Sequence, residues 1–275
     1  MDVVPAIYNQ LEEFLIEIRS QGRYAFSLKE VKGKFELSDK AANQALYRLK
    51  LKKRIAQIRK GFYAILSPEY VKQGMVPPSL YIDDLMKALG KRYYVGLLSA
   101  AALQGAAHQQ PMEYFVITEK PALRSIKNKK VKINFFVKKL WHEQDIVPIK
   151  TDAGNISVSS PELTALDLLY YVESIGLNRT YTILQELVPE IKASNLLKTA
   201  KLYPQTTAIQ RLGFLLDCEM NEGKLAESLY KILTERNYFI VPLAISKDKD
   251  GEINNKWKVI KNIKLESDLY IIYSV

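Results

Sequence analysis

Apolar positions along the first fifty residues fall into three separate runs with helical spacing. Ile7, Leu11, Phe14, Leu15 and Ile18 share one face, with Glu12, Glu13, Glu17 and Arg19 between them, which predicts a first helix. Beyond Gly22, Ser27 stands three residues before Glu30, and Phe26 and Val31 bracket them. That pattern is a capping box with a hydrophobic staple, and it starts a second helix at Leu28 that ends near Phe35. Ser38 then offers the N-cap of a third helix, in which Ala42, Ala45, Leu46 and Leu49 share one face. The period next changes from helical to extended: Ile55 to Ile58 and Phe62 to Leu66 are β-prone runs separated by Arg59, Lys60 and Gly61, a hairpin signature. Three helices followed by a basic-tipped hairpin predict a winged helix-turn-helix over residues 1–74.

Pro68, Gly74, Pro77 and Pro78 punctuate the following stretch and predict a connector, with a second, larger domain over 75–275. There the pattern predicts helices at Leu80 to Leu89, stopped by Gly90, and at Tyr94 to Leu103. Strand-like runs follow at Tyr114 to Thr118, Val131 to Val137, Ile146 to Lys150 and Ile156 to Ser159. Ser160 caps a helix that opens on Pro161 and buries Leu163, Leu166 and Leu169. Helices at Arg179 to Leu187, Ala193 to Leu202, Thr206 to Met220 and Leu225 to Arg236 come next. The chain reverts to extended runs at Tyr238 to Leu243 and Trp257 to Ile260, with SKDKDGEINN as the loop between them. The fold class expected is mixed α/β (α+β), the second domain holding a small mixed sheet and several helices.

Composition changes this picture in three ways. At 275 residues the chain is long enough for two cores, and its net charge of +10 calls for an anionic partner. Cys218 is the only cysteine, so an intrachain disulfide and a cysteine-based zinc cluster are both excluded. The amino end carries acidic residues where a secretory signal needs basic ones, and the most apolar stretch, Tyr93 to Ala107, is shorter than the ~18 residues of a membrane span. A cytoplasmic protein with no membrane partner is expected.

The charge is concentrated where the winged helix would meet DNA. Lys40, Asn43, Gln44, Tyr47 and Arg48 lie opposite the apolar face of the third helix, a set able to bond base edges and phosphates. Lys50, Lys52, Lys53, Arg54, Arg59 and Lys60 continue the basic stretch, and no acidic residue occurs between Lys40 and Lys60. A second basic group, Arg124, Lys127, Lys129, Lys130, Lys132, Lys138 and Lys139, alternates with strand residues. It suits an extension of the DNA surface or an acidic partner, and it equally suits a lysine-guarded sheet edge.

Catalytic chemistry is poorly provided for. His108 and His142 are the only imidazoles, neither lies in a nucleophile–base motif, and phosphate-cradling glycine loops are absent. No catalytic residue, metal site or cofactor is therefore expected. Asp145, Glu162 and Asp167 could serve a metal only if the fold brought them together, the arrangement that a DNA-targeted metal-dependent nuclease requires. A transcription factor with a small-molecule sensor domain is a further reading that no motif favours.

Three stretches, KKRIAQIRKGFYAILSPEY at the end of the winged helix, YYVGLLSAAALQGAA and ISVSSPELTALDLLYY, resemble in order and spacing the AbiEi family, the antitoxin half of the AbiE abortive-infection systems (type IV toxin–antitoxin). The resemblance covers most of the chain up to about Ile175 and is less specific beyond. It implies a non-enzymatic phage-defence antitoxin and transcriptional autorepressor whose winged helix binds double-stranded DNA repeats in its own promoter; self-association on those repeats is a further role open to the second domain. It also implies a C-terminal domain that antagonises a nucleotidyltransferase-like toxin, with or without direct contact. By position, Lys40, Asn43, Gln44, Tyr47 and Arg48 match the recognition helix, and Arg59 and Lys60 the wing. Where members often carry a His-Gly pair, this chain has Gln104 and Gly105.

Overall fold

The computed structural model describes residues 3–106, 113–128 and 131–266, with side chains from residue 8 onward. His108, Lys129 and Lys130 lie outside the described residues, as does the side chain of Ile7. At the amino end α1 (Val3–Ser20) leads into β1 (Ala25–Ser27), then α2 (Leu28–Phe35), α3 (Asp39–Leu51), β2 (Ile55–Arg59) and β3 (Phe62–Ile65). The capping box forms: the Glu30 amide donates to Ser27 Oγ at 3.1 Å, and the Ser27 amide to Glu30 Oε2 at 2.7 Å. The three strands make an antiparallel sheet in the order β1-β3-β2. β1 was not evident in the hydrophobic pattern, because three residues are too few to display a period.

The core of this region joins Leu11, Phe14, Leu15 and Ile18 of α1 to Leu46 and Leu49 of α3 and to Phe26, Ile55, Tyr63 and Ile65 of the sheet. Phe14 meets Phe26 and Phe35 edge-on, at centroid distances of 5.5 and 5.7 Å, geometries that add about 0.5–1.5 kcal/mol per pair beyond burial.

After the hairpin come α4 (Pro68–Val71), a 3-10 turn at Pro78–Leu80, α5 (Ile82–Ala88), β4 (Tyr93–Val95) and α6 (Leu97–Leu103). The expected helix from Tyr94 is thus a strand followed by a helix. Tyr94 and Val95 are fully buried, and an apolar run this short is compatible with either period. β5 (Glu113–Thr118), β6 (Ile126–Lys127), β7 (Lys132–Val137), β8 (Ile146–Thr151) and β9 (Gly154–Ser159) complete a six-stranded sheet ordered β6-β7-β5-β4-β9-β8. β5 and β7 run parallel from Glu113↔Lys132 to Thr118↔Val137, and β6 pairs antiparallel with β7. The rest is helical, α7 (Pro161–Tyr170), α8 (Val172–Ile175), α9 (Leu177–Leu187), α10 (Ala193–Leu202), α11 (Thr206–Phe214) and α12 (Gly223–Thr234), until β10 (Val241–Pro242), β11 (Glu252–Asn254) and β12 (Val259–Lys261). β11 lies within the stretch expected to be a plain loop. The class is mixed α/β, as the pattern predicts, and no described helix is long and apolar enough to cross a membrane.

Two compact units emerge, and their division differs from a boundary at residue 74. The first comprises Met1–Tyr94, Met112–Lys139 and Pro148–Ser157, the second Val95–Pro111, Leu140–Val147 and Val158–Val275. The residues after 74 join the amino-terminal unit because α5 packs beside β1: Arg23 Nε donates to Asp84 Oδ2 at 3.2 Å while its NH2 lies 2.9 Å from Glu30 Oε1. Burial disfavours the Glu30 carboxylate, but the Ser27 amide and Arg23 outweigh it and hold its pKa below the usual range.

In the second unit α7 is buried from Glu162 to Leu169, so its polar side chains need internal partners. Glu162 Oε1 accepts from the Lys192 amide at 3.0 Å, the Thr164 and Ser159 hydroxyls lie 2.7 Å apart, and Asp167 Oδ1 accepts from the Tyr203 hydroxyl at 2.7 Å. Burial, with the Asp167 carboxylate beside it, pushes the Tyr203 hydroxyl well above its usual pKa. The last carbonyls of α10 are capped by Arg236, which donates to Ala200, Lys201 and Tyr203 at 2.8–3.0 Å.

α11 continues as a π-helical turn, Leu215–Glu219, which aims Asp217 at the terminal sheet, ordered β10-β12-β11. Asp217 Oδ2 accepts from Lys256 Nζ at 2.8 Å and from the Trp257 indole N–H at 2.9 Å. The Lys256 bond, with help from the indole, outweighs the opposing effect of burial and keeps this carboxyl below its usual pKa. A depressed carboxylate pKa stabilises the fold above the unfolded-state value, and that contribution is lost as pH falls through the folded value. Asp217→Asn should therefore cost about 1–2 kcal/mol near neutral pH, a difference from the native protein that disappears below the ordinary carboxylate range. Urea titrations of both proteins across pH measure it; a difference that does not depend on pH would assign Asp217 no ionised role.

Candidate nucleic-acid interface

α3 is fixed from its inner face. Ser38 Oγ accepts from the Ala41 amide at 3.3 Å, and Ala42, Ala45, Leu46 and Leu49 are buried. Geometry then obliges the other face outward: Lys40, Asn43, Gln44 and Arg48 are exposed, and Tyr47 is 56% exposed despite its ring. Lys50 Nζ stands 5.8 Å from the Tyr47 centroid, and Asn43 Nδ2 donates to the Asp39 carbonyl at 2.7 Å.

The helix closes through Lys53, whose backbone is left-handed (φ 55). Its amide donates to the Lys50 carbonyl and that of Arg54 to the Leu49 carbonyl. Lys50, Lys52 and Lys53 remain exposed. Lys52 Nζ also sits 4.1 Å from the Tyr8 ring centroid. Arg54 is engaged within the protein, its Nε and NH2 lying 3.0 and 2.8 Å from Glu12 Oε2 of α1. At the hairpin turn Arg59 is half-buried and Lys60 exposed. Gly61 (φ 76) permits the turn, and its carbonyl accepts from the Leu28 amide at 2.8 Å.

Among the described residues, the second basic group is divided between exposed, paired and buried side chains. Arg124, Lys127 and Lys139 are exposed, and Lys132 Nζ is paired with Glu113 Oε1 at 2.8 Å. Lys138, only 4% exposed, is buried at the end of β7 and drops out of any surface set. Its place in an alternating run suggested an outward side chain, but the strand ends at Val137, and alternation no longer applies beyond it.

The three carboxylates considered for a metal are each bonded elsewhere within the second unit. Asp145 Oδ1 accepts from Thr199 Oγ1 at 2.6 Å, while Glu162 and Asp167 hold the Lys192 amide and Tyr203. Among the described residues no group of three or more His, Cys, Asp or Glu is placed to hold a metal. His142 is half-buried just ahead of a 3-10 turn. Gln104 donates from Nε2 to the Ser159 carbonyl, a bond that an imidazole N–H could also make.

Residues 94–218 match the AbiEi antitoxin C-terminal domain family. No curated protein matches the chain. Among solved structures, the RV2827C protein from Mycobacterium tuberculosis is similar, with a TM-score of 0.64 and 16% identity over 93% of this chain and 91% of that one. At that identity the likeness is one of fold.

Proposed function

We propose, from the match of residues 94–218 to the AbiEi antitoxin C-terminal domain family, that this chain is a DNA-binding autorepressor as well as the antitoxin of a toxin–antitoxin pair. In this reading the amino-terminal helices and hairpin act as a winged helix-turn-helix on the chain's own promoter, in the cytoplasm. The partner antagonised through the C-terminal domain is a nucleotidyltransferase-like toxin, and the antitoxin role is non-enzymatic.

One observation carries the DNA reading. The outward face of α3 holds Lys40, Asn43, Gln44, Tyr47 and Arg48 beside a basic hairpin turn, opposite a stripe committed to the core. Arg48 has the donor fork that guanine O6 and N7 accept, and Gln44 the amide that adenine N6 and N7 match. Lys53 in a left-handed conformation, where glycine is the unstrained choice, retains a cation at the foot of the helix.

The test is a double substitution, Arg48→Ala with Asn43→Ala, titrated against the chain's upstream DNA and a scrambled duplex. Each base contact is worth about 1–3 kcal/mol, so preference for the upstream duplex is expected to fall at least tenfold while thermal unfolding is unchanged. Undiminished preference rejects α3 as the reading element. Rescue of cells from the toxin by the same variant tests separately whether antagonism depends on DNA binding.

A further inference from the structure

Beside the amino-terminal end of α3, still within the first unit, lies a cleft of about 560 Å³ between the start of α2, the hairpin turn and α5. Lys29, Lys32, Arg59, Lys60 and Lys87 line it, with Asp39 as the carboxylate among the lining residues. Lys32 Nζ is 2.6 Å from Asp39 Oδ1, and Lys87 Nζ is 2.6 Å from Asp83 Oδ2, so two of the cations are already compensated. Lys29, Arg59 and Lys60 have no ion-pair partner among the described residues. The turn that carries Arg59 and Lys60 is held against α2 by the Leu28 amide to Gly61 carbonyl bond, which keeps these charges close to Lys29. That bond occupies the Leu28 amide, and Ser27 Oγ occupies the Glu30 amide; the intervening Lys29 amide has neither partner. Cations fixed close together repel one another, and an anion seated among them relieves that repulsion.

We propose that this cleft seats the sugar–phosphate backbone of duplex DNA alongside the groove that α3 enters, with Lys29, Arg59 and Lys60 as phosphate ligands and Lys87 at the rim. The inference rests on the DNA-binding reading above and extends the footprint to α2 and α5, elements outside the recognition helix and wing. Backbone contacts fix position without reading sequence, so the cleft adds affinity equally to all duplexes.

Lys29→Gln in the full chain tests it, the side chain being exposed, without an ion-pair partner among the described residues, and on α2 rather than on the outward face of α3. Binding to the upstream and scrambled duplexes is measured by fluorescence anisotropy over a salt series. Both affinities are expected to weaken together by several-fold, the log–log salt slope to become less negative by about 1, and the ratio between duplexes to stay constant. If the native chain binds DNA and the variant keeps its affinity and slope, the cleft inference is overturned and the reading of α3 stands. A loss of discrimination at unchanged slope also overturns it, because the contact would then be to bases. A native chain that binds neither duplex removes both readings.

Discussion

Between about 50 and about 200 mM salt, the affinity of this chain for duplex DNA is expected to fall about a thousandfold. Lys40, Arg48, Lys50, Lys52, Lys53 and Lys60 are all exposed along α3, its foot and the hairpin turn. If about six phosphates are neutralised there, each releases roughly 0.9 of a counterion, and a fourfold rise in salt compounds to about three orders of magnitude. Arg54 is left out of this set because Glu12 already pairs with it at 2.8 Å. Arg54→Gln should accordingly change the slope less than Lys53→Gln does, a contrast that a count of basic residues does not supply. Affinity that stays nearly flat across the series would mean that this face does not meet phosphates at all, and the charge would then have to be explained by solubility.

Gly213→Ala should destabilise the second unit by about 1–3 kcal/mol or more, the opposite of what helix propensity alone gives. In the middle of an ordinary helix, alanine in place of glycine stabilises by up to about 1 kcal/mol. Here an added Cβ would overlap Cζ3 and Cη2 of Trp257, far inside van der Waals contact. The indole has little freedom to retreat: it is fully buried, its N–H is bonded to Asp217, and Tyr230 meets it edge-on at 5.7 Å. Displacing it would also disturb the terminal sheet, since Gln210 Nε2 bonds the Trp257 carbonyl at 3.1 Å and the Phe239 carbonyl at 2.8 Å. Urea unfolding followed by tryptophan fluorescence measures the effect. A gain in stability would show that the indole seat is loose and that α11 does not anchor the carboxyl-terminal strands.

The local half of this architecture was readable from the residues. Ser27 and Glu30 form the capping box that their spacing announces, Ser38 caps α3, and the buried stripe of α3 coincides with its apolar positions, because these are contacts within one helical turn. What was not readable depends on partners distant in sequence. Residues 113–139 group with the amino-terminal unit, and Arg23 reaches Asp84, pairings that no periodicity encodes. The candidate site divides in the same way: the outward face of α3 follows from its inward one, whereas the pairing of Arg54 with Glu12 and the gathering of Lys29 and Lys87 at one cleft arise only from tertiary packing. Lys138 was misassigned to the surface because an alternation rule was carried one residue past the end of its strand.

The π-helical turn also bears on where this protein can be cut. The family match ends at residue 218, inside Leu215–Glu219, whereas the buried side chains of α11 are satisfied by carbonyls well beyond that point, at Phe239, Pro242 and Trp257. A fragment trimmed to the matched region would lose the acceptors of Gln210 and Arg211 and would open to water the apolar surface that Trp257 covers. Such a fragment is expected to aggregate, so the smallest autonomous form of the second unit must retain its carboxyl-terminal strands.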